Sequence, residues 1–158
     1  MADLRELLKE AGFENVATYV QSGNIALDSA AKSTTLEHQL AELIEARFGF
    51  AVPVIVRSGK QLAAVIEHDP FHEVADNPKR YQVSFLSHKL SADNVTRLRE
   101  LAHESERVAV HGREVYAWHP EGVARSKLWN ALAGQSLGVT ATARNWTTVC
   151  KLLEMAGG

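Results

Sequence analysis

One cysteine, four prolines and no long apolar run occur in 158 residues, and each shortage excludes something. Cys150 has no partner, so an internal disulfide is excluded. Its place between Val149 and Leu152 in a helical pattern marks it as a partly buried structural thiol rather than a nucleophile. No stretch approaches the roughly 20 consecutive apolar residues that a bilayer span requires. The start, Met1-Ala2-Asp3-Leu4-Arg5-Glu6, has neither the basic nor the apolar region of a leader. A cytoplasmic protein without membrane contact is expected.

Familiar signatures of catalysis are missing too. Arg57-Ser58-Gly59-Lys60-Gln61 has Val54 where a phosphate loop needs its upstream glycine, and Gln61 where it needs Ser or Thr. No dinucleotide-binding glycine pattern and no nucleophile elbow occur. Among seven histidines, His68 and His72 have i,i+4 spacing, but Pro70 breaks the helix that would align their rings for a metal. Glu104 and Glu106 beside a helix end read as a solvated face. No metal or cofactor is expected, and no acid, base or nucleophile stands out.

What is present is ordinary globular material, 46% hydrophobic and 23% charged, enough for one sizeable core or two small ones. The net charge of −2 is unevenly spread: residues 1–50 carry four Lys/Arg against eight Asp/Glu, and residues 107–151 carry six against two. The C-terminal part therefore favours an anionic partner, with too little basic charge for a dedicated nucleic-acid binder.

Periodicity sets out the elements. Leu4, Leu7 and Leu8 give a first helix with Asp3 and Glu6 in capping-box spacing; residues 16–20 and 25–27 form a hairpin around Gln21-Ser22-Gly23-Asn24. Leu36, Leu40, Leu43, Ile44 and Phe48 line a long helix that opens with Thr34 and Glu37 and stops at Gly49; a strand from Val52 to Val56 follows. A third helix starts at Ser58 with Gln61 completing its box. Residues 81–86 form a strand, Ser91 opens a helix, residues 107–111 and 114–118 pair around Gly112-Arg113, and helices near 126–133 and 145–156 close the chain.

The order is αββαβ, a linking helix, then βαββαα. The expected fold is α+β with two ferredoxin-like (split βαβ) halves, the first lacking its opening strand. Residues 1–57 form the truncated first half, 58–80 a linking helix and loop, and 81–158 the second half with extra C-terminal helices. Loss of the opening strand would leave ladder groups for another chain to satisfy, which makes a homodimer through that sheet an option.

Several segments carry a resemblance: Phe13-Glu14-Asn15-Val16, Thr18-Tyr19-Val20-Gln21-Ser22-Gly23-Asn24, Arg47-Phe48-Gly49-Phe50, Gly122-Val123-Ala124-Arg125-Ser126-Lys127-Leu128 and Thr142-Ala143-Arg144-Asn145-Trp146-Thr147-Thr148-Val149. In order and spacing they resemble the bacterial domain-of-unknown-function family sixteen-ninety-seven over nearly the whole length. The resemblance implies a two-part α+β fold with ferredoxin-like halves and no established activity. The opening strand and glycine-rich turn typical of that family are absent at the front.

The densest chemistry lies near the end. Arg125, Lys127 and Arg144 are expected to converge on phosphate or carboxylate, with Ser126 or Asn145 at a helix start adding donors and Trp146 an aromatic surface. A small phosphorylated or carboxylated molecule docked between the halves is the preferred reading. Gln21, Ser22 and Asn24 form a second candidate, binding a polar ligand through amides. The competing reading is structural: Ser126 and Asn145 cap helices, Trp118, Trp129 and Trp146 fill core, and the Gln21–Asn24 loop meets a hairpin's needs. Alternatives of other classes are a small-molecule hydrolase or transferase, a nucleic-acid binder that stacks bases on Trp118 or Trp146, and an assembly protein.

Overall fold

In the computed structural model, residues 2–19, 23–134 and 137–157 are described. The chain divides into two units, Met1–Ala64 with Lys151–Gly158, and Val65–Cys150.

In the first unit, α1 (Ala2–Glu10) already includes Ala2, which places Asp3 inside its first turn instead of at a capping position. β1 (Glu14–Tyr19) and β2 (Asn24–Asp28) pair as an antiparallel two-stranded sheet. The register slips between Glu14 and Ala17, where Asn15 takes φ 54° and its amide donates to Asp28 Oδ2 at 2.6 Å. Asn is among the residues that tolerate this left-handed conformation best.

α2 (Ser33–Phe48) buries Leu36, Leu40 and Ile44. Leu36 and Leu40 join Leu8 in a core lined by Val16, Ile25, Leu27, Val54 and Val56. The expected Thr34–Glu37 box does not form: Lys32 precedes the helix without a side-chain cap, and Glu37 Oε1 accepts instead from the Val56 amide at 2.9 Å. Residues 52–56 form no strand either. Val54 and Val56 do pack inward, so their alternation is used for burial without a ladder. The box at Ser58 is made in both directions, Ser58 N to Gln61 Oε1 at 2.8 Å and Gln61 N to Ser58 Oγ at 3.1 Å, and it opens α3 (Gly59–His68).

The second unit holds β3 (Tyr81–Leu86), α4 (Ala92–Leu101), β4 (Arg107–His111), β5 (Glu114–Trp118), α5 (Lys127–Ala133) and β6 (Ala141–Asn145); α6 (Trp146–Met155) starts immediately after. The strands form one antiparallel sheet in the order β4-β5-β3-β6. Residues 141–145, which sequence analysis leaves as the approach to a helix, are therefore a fourth strand. The element order is βαββαβ with its first and third strands central, the arrangement of interlocked split βαβ units.

Alternation along the strands sorts the side chains. Leu86, Val115 and Ala117 face α4 and α5, packing with Leu98, Leu128, Ala131 and Leu132. Tyr81, Val83 and Tyr116 take the other face, all buried, where Tyr116 donates to the Val65 carbonyl at 2.7 Å and Tyr81 to Asp69 Oδ1 at 2.7 Å. Burial, with Asp69 adding to it, pushes the Tyr81 hydroxyl well above its usual pKa. Among the described residues, no helix is long and apolar enough to cross a membrane.

Candidate functional site

At the end of the sheet where β4 begins and β5 finishes, the chain places a carboxylate where apolar packing would be expected. Glu106 is 8% exposed and His119 is fully buried. The isolated charge would be costly there, so the donors around it matter. Glu106 Oε1 accepts from the His103 amide at 2.9 Å; Oε2 accepts from Ser126 Oγ at 2.6 Å and from His119 Nδ1 at 2.5 Å. Burial works to raise this carboxyl, but the Ser126 hydroxyl, the His103 amide and the His119 ring outweigh it and hold it below the usual glutamate value. Glu106 is thus a buried hub, not the solvated residue its neighbourhood in sequence suggests.

Ser126 has two duties. Its Oγ also accepts from the Trp129 amide at 3.0 Å, capping α5. Ser and His both bond the carboxylate, and His119 Nε2 lies buried without a partner among the described residues. This differs from a nucleophile triad, in which the imidazole stands between hydroxyl and acid. Trp129 meets the His119 ring edge-on at 6.0 Å.

Between His119 and Ser126 the chain makes a compact excursion. The Gly122 amide donates to the His119 carbonyl at 2.9 Å and the Ser126 amide to the Val123 carbonyl at 3.1 Å. Gly122 sits at φ 84°, a conformation glycine adopts at little cost. Just before β3, the Arg80 carbonyl accepts from the His119 amide at 3.0 Å, and the Arg80 guanidinium returns a bond to the Pro120 carbonyl. Both ends of this segment are therefore tied to one carboxylate.

Arg125 and Lys127, on either side of Ser126, are exposed. Among the described residues neither has an ion-pair partner. Arg107, one residue beyond Glu106, spends its guanidinium on the Glu104 and Glu106 carbonyls at 3.1 and 3.0 Å. Sequence analysis missed Arg80, Arg107, Glu106 and His119 because only the β4–β5–β3 register brings them to one end of the sheet.

The other predicted residues lie elsewhere. Arg144 pairs in register with Val83, on the face opposite α5, and its Nη1 donates to the Ala143 carbonyl at 2.8 Å. Burial lowers its pKa from the usual arginine value. Asn145, in register with Gln82, accepts from the Thr148 amide at 3.0 Å and caps α6. Trp146 stacks on Tyr81, centroids 4.7 Å apart and 17° from parallel, and Trp118 is buried. Arg125 and Lys127 flank Ser126 at the start of α5; Arg144 lies on the sheet face opposite that helix.

Asn24 is buried and donates to the Tyr19 carbonyl at 3.1 Å, tightening the hairpin. Gln21 and Ser22 lie outside the described residues. Cys150 is exposed, contrary to the partly buried position expected; desolvation by the atoms around it, with Asp69 adding to it, raises its thiol pKa, which opposes thiolate formation.

The family described as "Protein of unknown function (DUF1697)" matches residues 1–116. The structure of the conserved bacterial protein SP0830 from Streptococcus pneumoniae is similar at a TM-score of 0.70 and 25% identity, covering 99% of this chain and 88% of that one. No curated protein matches the chain.

Proposed function

The chain belongs to the DUF1697 family, whose description assigns no reaction, and on that premise we propose that it binds a small phosphorylated or carboxylated molecule through Arg125 and Lys127. One observation carries this reading: two cations without ion-pair partners among the described residues flank a serine that is locked to a buried carboxylate. Exposed Arg and Lys side chains ordinarily lose conformational freedom when they grip an anion. Fixing their backbone beforehand reduces that cost. A connection needing only to join β5 to α5 has no use for a buried Ser–Glu–His network, which leaves His119 Nε2 without a partner among the described residues where apolar packing would not.

The reading is narrower than a convergence of three cations. Arg80 supports the 119–126 segment through the Pro120 carbonyl and Arg107 the Glu104–Glu106 turn, Arg125 and Lys127 meet the ligand, and Arg144 with Asn145 and Trp146 maintains the sheet and the start of α6. Glu121, exposed in the same segment, disfavours a high local density of negative charge and so favours a compact anion over a polyanion.

A thermal-shift titration with inorganic pyrophosphate and, separately, citrate tests the reading and distinguishes phosphate from carboxylate preference, since a ligand that prefers the native state raises apparent stability. The wild type is expected to gain stability with one of the two. Arg125→Gln is expected to shift the titration midpoint by about tenfold or more, because a charged hydrogen bond contributes roughly 1.5–3 kcal/mol. No shift with either anion, or an unchanged response in Arg125→Gln, overturns it.

A further inference from the structure

Three connections, from three to twenty residues away in sequence, meet at a single carboxylate. The turn after α4 supplies the His103 amide, the end of β5 supplies the His119 ring, and the residue before α5 supplies the Ser126 hydroxyl. Both ends of segment 119–126 are thereby held, while Gly122 and Ser126 close its internal turns. We propose that Glu106 is a positioning residue: through His119 and Ser126 it fixes the backbone of segment 119–126, and with it the direction in which Arg125 and Lys127 are presented. The proposal rests on the anion-binding reading for its consequence, but not for its physical content.

The geometry separates this role from simple packing. An apolar side chain in place of His119 would fill the same buried volume without leaving Nε2 unpaired. What the imidazole adds is the Nδ1–H donated to Glu106. Ser126 likewise needs only an acceptor to cap α5; its hydroxyl proton is what reaches the carboxylate. Ser126 Oγ also lies 3.4 Å from His119 Nδ1, but the shorter bond of each residue beyond packing or capping is directed at Glu106. Among the described residues Arg125 and Lys127 make no such bonds, so their placement depends on the backbone that Ser126 anchors.

Amide hydrogen exchange in Glu106→Gln tests the proposal without any ligand. The glutamine keeps the size of the side chain, but it has one carbonyl oxygen in place of two carboxylate oxygens. Exchange at the Gly122 and Ser126 amides is expected to accelerate about tenfold more than exchange at the Val83 and Tyr116 amides of the sheet. Pyrophosphate affinity is expected to fall by about threefold to tenfold in the same variant, and Ser126→Thr, which retains a hydroxyl, is expected to stay near the wild type where Ser126→Ala does not. Loop exchange that is unchanged, or that rises only in step with the sheet, overturns the positioning role. Should Glu106→Gln fail to fold, the Ser126→Ala and Ser126→Thr pair decides the question at the Gly122 amide by the same criterion. Arg125→Gln separates the two readings: unaltered pyrophosphate affinity there counts against the anion site, while loop exchange still decides the role of Glu106.

Discussion

A carboxylate that is 8% exposed keeps its charge only if donors compensate for the lost water, and Glu106 has three, on about four acceptor sites. Because those bonds favour the ionised form, the folded protein holds this proton less tightly than the unfolded chain does. The resulting stabilisation is fully present above the unfolded carboxylate value, about 4.3, and is lost as pH falls through the lower folded value. Urea unfolding of wild type and Glu106→Gln is expected to differ by roughly 3 kcal/mol at neutral pH, with the gap narrowing on acidification; a gap independent of pH contradicts this account of the hub. Residue-scale legibility was uneven. Ser126 as a helix cap was readable because a cap is local, whereas Glu106 and His119 acquire their roles only when antiparallel pairing of β4 with β5 brings them to one end of the sheet.

At the scale of elements, local chemistry succeeded where the partner lies within one turn of helix. Ser58 and Gln61 satisfy each other's backbone amides at the start of α3, and Ser58→Ala is expected to cost about 1 kcal/mol in chemical denaturation; an unchanged midpoint would show that neighbouring groups already satisfy those amides. The Thr34–Glu37 pair has the same spacing, yet Glu37 turns to the Val56 amide, nineteen residues away in sequence. Strands were harder to read. Val52, Val54 and Val56 alternate as a strand would, but the pattern serves only to pack Val54 and Val56 against the core, while Ala141-Thr142-Ala143-Arg144-Asn145 has little β propensity and becomes a strand because β3 offers it a full ladder. Pairing partners, unlike helix periodicity, are not written in the segment itself.

For the molecule as a whole, the charge asymmetry between residues 1–50 and 107–151 pointed toward an anionic partner without saying where it sits. Each unit buries its own apolar cluster, around Leu8, Leu36 and Leu40 in one and around Leu86, Leu98 and Leu128 in the other. Only the second combines such a cluster with the polar hub at the end of its sheet. The α+β class and the order of most elements were legible from periodicity and turn chemistry; the placement of Arg144 on the face opposite α5 required the strand register. Isothermal titration of the full chain with inorganic pyrophosphate, comparing wild type with the Arg125→Gln/Lys127→Gln double variant, tests the central claim most directly. Saturable binding by the wild type, weakened about tenfold to a hundredfold in the double variant while its urea midpoint stays the same, is the predicted result. Equal affinity in the two proteins would contradict it.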